Sequence, residues 1–157
     1  MLPQEKIVKI LTNKGLKLAT AESCTGGLIA KLITDVPGSS AMFDMGIVSY
    51  ANEIKHRFLG VPNEILETVG AVSFETAEAM ARGVCAAANA DIATATTGIA
   101  GPGGGTDEKP VGLVYMSIYF KENDRQITKK LNLSGTRDEI RNKTADIVLE
   151  TLLKEIE

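Results

Sequence analysis

Residues 16–34 read LKLATAESCTGGLIAKLIT. The first seven, 16–22, alternate well enough to form a strand. From about 25 to 34, Leu28, Ile29, Leu32 and Ile33 fall on one side of a predicted helix. A strand that runs through a tight turn into a helix is the first half of a crossover, and its next strand pairs in parallel. Upstream, residues 3–14 predict a helix with Pro3 in its first turn, Ile7, Ile10 and Leu11 on its apolar face, and Gly15 as its stop. Downstream, Pro37-Gly38 is a turn and MFDMGIVSY, 42–50, a second strand. Asn52 is placed to cap a short helix through Phe58, ended by Gly60, and a further helical turn runs from Pro62 to about Leu66.

Ser73 is placed to cap a longer helix to about Ala88, with Ala77, Met80, Ala81 and Val84 facing a core. DIATATT, 91–97, predicts a buried third strand. Residues 111–120 and 125–133 predict a hairpin turned at Glu122-Asn123-Asp124. Thr136 and Glu139 form a capping box for a last helix whose face is Ile140, Thr144, Ile147, Val148, Thr151, Leu152 and Ile156. The order α-β-α-β-α-α-β-β-β-α predicts a three-layer α/β/α sandwich. Its five-stranded sheet is mixed and mostly parallel, with one antiparallel strand.

Bulk properties narrow the function. A chain of 157 residues suits one domain, here 1–157. Hydrophobic residues at 44%, charged residues at 24% and a net charge of −3 give an ordinary globular balance without the basic footprint of a nucleic-acid binder. No apolar run reaches the roughly 20 residues of a membrane span, and the polar start MLPQEK lacks a signal-peptide core, so a cytoplasmic protein is expected. Two cysteines make neither a disulfide framework nor a zinc site, and no cofactor or metal is expected. The only histidine, His56, sits in a polar stretch and reads as a surface residue.

Three motifs fall at one edge of the predicted sheet. Ser23 follows the first strand, Tyr50 ends the second and Thr97-Gly98 ends the third. In parallel strands all three lie at the carboxyl edge, where open α/β sheets bind ligands. Around Ser23, free amides at the helix start can bind a phosphate or stabilise an oxyanion. Ser23 or Thr25 can equally be a plain helix cap, although Gly26 and Gly27 weaken a helix start unless something approaches closely. Cys24 is either a thiol activated at that helix start or a small packed hydrophobe. Cys85, in an alanine-rich helix, reads as core.

Lys55, in the first turn after Asn52, faces the unfavourable end of the helix dipole. That lowers its pKa and suits it to act as base for a serine, the natural pairing without a histidine base, but a solvated surface lysine has the same spacing. Between Gly98 and Gly105 five glycines occur in eight residues, including Gly101 and Gly103. Such a loop can offer several amides to an anion, or be only a tight turn, and it matches neither the P-loop nor the dinucleotide fingerprint.

Taken together, AESCTGG, GSSAMFDMGIVSYANEIK, TTGIAGPGGGTDEKPVG and SGTRDEIR resemble the CinA C-terminal domain family from about Leu11 to Leu152. The resemblance is to the single-domain form, without the molybdopterin-binding-like domain of longer CinA proteins. Stand-alone members act as nicotinamide-mononucleotide deamidases, so the resemblance implies hydrolysis of that nucleotide to nicotinate mononucleotide and ammonia. It implies Ser23 as nucleophile, with Lys55 and Tyr50 as catalytic partners, Tyr50 relaying a proton or holding the Ser23 hydroxyl. Amides from Cys24 to Gly27 are then candidates for the oxyanion hole. Candidates to contact the rest of the substrate are Thr25, Gly26, Gly27, Thr97, Gly98, Gly101, Gly103, Arg137 and Arg141. The two arginines can instead be solvated charges on the last helix. A homo-oligomer is expected. Two other functions fit the same residues: a non-enzymatic nucleotide- or phosphate-binding module, and an amidase for another small amide.

Overall fold

The structure, a computed structural model, describes residues 1–157. Its elements are α1 (Pro3–Lys14), β1 (Leu18–Glu22), α2 (Leu28–Thr34), β2 (Phe43–Val48), α3 (Asn52–Leu59), α4 (Asn63–Thr68), α5 (Phe74–Ala88), β3 (Ile92–Gly98), β4 (Leu113–Phe120), β5 (Arg125–Asn132) and α6 (Arg137–Ile156), with a 3-10 turn at Ser39–Ala41. The sheet order is β2-β1-β3-β4-β5. Strand β1 pairs in parallel with β2 and β3, while β4 is antiparallel to both β3 and β5, so β4 alone runs against the other four. This is the expected α/β sandwich.

Alternation along the strands sends side chains into two cores. Leu18, Ile92, Met116 and Ile118 pack on one face with α1, α2 and α6, among them Ile7, Leu11, Ile29, Ile33, Val148 and Leu152. On the other face Ala19, Ala21, Ala93 and Ala95 meet Met80, Ala81 and Val84 of α5. The small alanine side chains of the sheet let α5 lie close to it.

Strand β1 begins at Leu18 rather than 16, β2 spans Phe43–Val48 rather than 42–50, so that Tyr50 lies two residues past its end, and β4 begins at Leu113 rather than 111. Two helix starts also differ from the sequence expectation. Helix α2 begins at Leu28 rather than near 25, because Gly26 (φ 61°) and Gly27 (φ 99°) are left-handed and carry the chain through a turn first. At α3 the cap position belongs to Ala51 and no side chain bonds there, so Asn52 is the first helical residue and not the cap. Ser73 does cap α5, accepting from Thr76 N–H. The capping box of α6 is also formed: Thr136 Oγ1 accepts from Glu139 N–H at 3.2 Å, and Glu139 Oε1 accepts from Thr136 N–H at 3.0 Å. That box fixes the start of the helix that carries Arg137 and Arg141.

Helix α3 is seated directly on the backbone of α5. A Cβ added at Gly83 would stand 1.8 Å from the Leu59 carbonyl oxygen, so only glycine permits this approach. Gly83→Ala is therefore expected to push α3 outward and cost about 1–3 kcal/mol of stability. Thermal unfolding checks this, and an unchanged melting temperature would contradict the tight seat.

Candidate active site

The parallel trio β2, β1 and β3 brings its carboxyl ends together. Ser23, one residue past β1, continues the ladder by donating its N–H to Thr96 O at 3.0 Å, and Ser49 N–H donates to Glu22 O at 2.8 Å. Helix α3, entered from the end of β2, returns over this edge. Lys55 lies four residues before Leu59 on its inner face, and both are buried.

The centre of the site is the Lys55 amine. Only 1% of this residue is exposed. Its Nζ donates to Ser23 Oγ at 3.1 Å, to Ser49 O at 2.8 Å and to Tyr50 O at 3.0 Å. Removal from water lowers its pKa below the usual lysine value of 10.5. Burial, rather than the helix dipole expected from the sequence, is the leading cause.

The three contacts also fix the direction of proton transfer. As an ammonium, Lys55 has three protons for three acceptors. As a neutral amine it has two protons and one lone pair. Carbonyl oxygens only accept, so the two protons stay on Ser49 O and Tyr50 O, and the lone pair faces the Ser23 hydroxyl.

Neighbouring groups sort between chemistry and support. Cys24 is buried against Val114 and Ile140, and burial pushes its thiol up to about 12, so the helix-start thiol is not the activated nucleophile here. Cys85 is buried, its Sγ donating to Ala90 O. His56 is exposed, with Nδ1 2.8 Å from Val61 O, and takes no part in the site. No three His, Cys, Asp or Glu side chains converge as metal ligands.

Tyr50 departs from its expected place. Its side chain is largely exposed, and its phenol oxygen accepts from Arg137 Nη2 at 2.9 Å instead of meeting Ser23. What reaches Lys55 is the Tyr50 backbone carbonyl. Arg137 Nη1 also donates to Gly101 O at 2.7 Å, so one guanidinium ties the β2–α3 turn to the glycine-rich loop. Arg141 lies beneath the nucleophile turn: Nη2 donates to Thr25 O at 3.0 Å, and its Nε is buried without a partner. Gly26 is held to glycine by its left-handed φ of 61°, and a Cβ there would also stand 2.8 Å from that Nη2.

Several of the other residues expected to contact substrate have partners within the fold. The buried Thr25 hydroxyl donates to Glu22 Oε1 at 2.6 Å and lies 2.8 Å from Thr96 Oγ1. The Thr97 hydroxyl donates to Ala71 O at 2.7 Å. Both hydroxyl protons are thus committed within the fold. Gly98 is required by close packing on Leu113 O, 2.7 Å from an added Cβ, and Gly101 by Val111, 2.4 Å away. Gly27 starts α2 beside Val48, while Gly103 has open space around it.

The sequence reading missed Glu22. Its carboxylate is buried at the end of β1 and accepts from Ile29 N–H at 2.9 Å and Ala30 N–H at 3.0 Å. The first amides of α2 are thereby spent on an internal anion and not on a substrate. Gly26 N–H closes a turn onto Ser23 O at 3.0 Å, whereas the amides of Cys24, Thr25 and Gly27 donate to no protein acceptor. Its one sequence signal is an acidic residue ending an otherwise uncharged strand just before a helix. Ser49 was missed too: its carbonyl holds Lys55, and its hydroxyl is buried without a partner.

Known proteins share this fold and much of this sequence. A family model described as the CinA C-terminal domain matches residues 3–156. A protein of Thermoanaerobacter sp. (strain X514) is 54% identical over 154 residues, 96% of this chain and 37% of that protein. A CinA-like protein of Geobacter sulfurreducens is 52% identical over 150 residues, 96% of this chain and 36% of the relative. The chain thus spans a little over a third of the length of these curated relatives. Among solved structures, the competence/damage inducible protein CihA from Agrobacterium tumefaciens superposes with a TM-score of 0.94 at 45% identity, covering 97% of this chain and 92% of that one. With the family model matching residues 3–156 and the fold shared at a TM-score of 0.94, the chain belongs to the CinA C-terminal domain family.

Proposed function

We propose that this protein is an amidohydrolase that converts nicotinamide mononucleotide to nicotinate mononucleotide and ammonia, with Ser23 as nucleophile and Lys55 as its base. The observation that carries the reading is the 3.1 Å contact between a buried, uncompensated lysine amine and Ser23 Oγ. In the first step neutral Lys55 takes the hydroxyl proton as Ser23 Oγ attacks the carboxamide carbon. The oxyanion is received by the amides of Cys24 and Thr25, which have no protein acceptor. The tetrahedral species then collapses, the C–N bond breaks, and the Lys55 ammonium returns its proton to the departing nitrogen. Lys55 next takes a proton from a water that attacks the ester carbon, and returns it to Ser23 Oγ as the acyl C–O bond breaks, which releases nicotinate mononucleotide and restores the neutral amine.

The phosphate and ribose fall to Arg137 and the glycine-rich loop around Gly103. A guanidinium now bridging Tyr50 and Gly101 can turn its fork to a phosphate, and Tyr50 then acts in holding the substrate. Arg141 acts from beneath, through Thr25. The reading places the enzyme in the cytoplasm as a homo-oligomer acting on a small molecule, without a cofactor, a nucleic-acid partner or a membrane.

Ammonia release from the nucleotide is the first check. Ser23→Ala is expected to lose about 10³-fold or more of kcat, and Lys55→Ala about 10²–10⁴-fold, while Cys24→Ala stays active. Saturable binding of nucleotide without turnover in the parent protein would point instead to a binding module. Activity is expected to rise with pH, because only the neutral amine is a base, with a midpoint below 10.5 since burial lowers the Lys55 pKa. A profile that falls as pH rises through that range would oppose the assignment.

Arg137→Gln has a separate signature. It is expected to raise KM for the mononucleotide by about tenfold or more, and to leave the phosphate-free riboside amide little changed. Equal losses on both substrates would move the phosphate contact elsewhere.

A further inference from the structure

The mechanism just described makes no use of Glu22, although this carboxylate is 1% exposed and directly precedes the nucleophile. No lysine or arginine forms a salt bridge with it; the four ion pairs of the protein lie elsewhere. Its charge is answered instead by three donors, the Thr25 hydroxyl at 2.6 Å, Ile29 N–H at 2.9 Å and Ala30 N–H at 3.0 Å, the last two at the positive end of α2.

An ionised carboxylate only accepts, and this sets the direction of the surrounding hydrogen bonds. The Thr25 proton goes to Glu22, so the 2.8 Å contact between the Thr25 and Thr96 hydroxyls is donated by Thr96. Thr96 in turn offers its carbonyl to Ser23 N–H at 3.0 Å. The turn from Ser23 to Gly26 is therefore gripped at three points: Ser23 N–H by Thr96, the Thr25 hydroxyl by Glu22, and the Thr25 carbonyl by Arg141 at 3.0 Å. Two of these grips meet at Thr25, which has no exposed surface of its own.

We propose that Glu22 is a positioning residue for the nucleophile: through the Thr25 hydroxyl it holds the Ser23–Gly26 turn so that Ser23 Oγ stays on the Lys55 amine and the Cys24 and Thr25 amides stay free of protein acceptors. The inference rests on Ser23 being the nucleophile. It assigns Glu22 no contact with substrate. Replacing Glu22 by glutamine keeps the shape but turns one acceptor into an NH₂ group, which then faces N–H or O–H donors. Replacing Thr25 by valine keeps the branched shape and removes the hydroxyl, and with it both the link to Glu22 and the acceptor for Thr96 Oγ1.

The test uses two readouts on the purified protein. One is the rate at which a fluorophosphonate modifies Ser23, followed by intact mass, which needs no nucleotide. The other is kcat and KM for nicotinamide mononucleotide. Glu22→Gln and Thr25→Val are each expected to slow Ser23 modification and kcat by about tenfold or more, with KM within about twofold, because misplacing a nucleophile costs the chemical step and not ground-state binding. Thr25→Ser, which keeps the hydroxyl, is expected to stay within about threefold of the parent, and the double variant to be no slower than the slower single.

If Glu22→Gln does not fold, the Thr25 pair decides alone. Folded Thr25→Val that reacts at the parental rate overturns the proposal, as does Thr25→Ser that is as slow as Thr25→Val. A parent that modifies at Ser23 with the expected variant pattern yet releases no ammonia keeps the positioning role and removes the substrate assignment. A parent whose Ser23 does not react and which releases no ammonia removes both.

Discussion

A primary amine taken out of water beside a hydroxyl is the interaction on which this structure turns. A lysine in solvent is an ammonium at neutral pH and cannot serve as a base. Removing Lys55 from water without giving it a carboxylate disfavours the charge, and that penalty is what makes the amine useful. Two carbonyls, from Ser49 and Tyr50, make the burial tolerable by accepting its protons, and they leave the lone pair to Ser23. Had either been a carboxylate, the ammonium would have been stabilised and the base lost.

Much of the fold serves to keep that amine in place. Alanines on one sheet face draw α5 close, and Gly83 lets the end of α3 rest on the α5 backbone. Lys55 and Leu59 then share the inner face of α3, one turn apart, so the same packing that buries the leucine buries the amine. On the opposite face, Glu22 satisfies the first amides of α2 and Arg141 holds Thr25 from α6. The nucleophile turn is thus supported from below by one layer, while its base arrives from the other.

The sequence made the scaffold legible because its signals are local. Alternation in LKLATAE and DIATATT, the Ser73 cap and the Thr136–Glu139 box each lie within a few residues, and the crossover rule converts them into a parallel trio with Ser23, Tyr50 and Thr97 at one edge. Placement of polar side chains was less legible because it depends on partners far along the chain. The phenol of Tyr50 turns to Arg137, 87 residues away, and Thr25 is tied to Thr96, 71 residues away. Burial of Lys55 did have a local sign, its four-residue spacing from Leu59, but the spacing of a solvated helix is the same. For Arg141 only the close approach of Gly26 gives the pairing away, and that approach is a property of the folded backbone.

The central claim is that Lys55 is a base because it is buried, and its own titration tests this most directly. Lysine labelled with carbon-13 at Cε, assigned by comparison with Lys55→Met, reports the ionisation of this one amine by NMR without any substrate. The account predicts a midpoint below the ordinary 10.5. A Lys55 that titrates at or above that value would mean that the amine stays charged in the folded protein, and the Ser23–Lys55 mechanism would be contradicted.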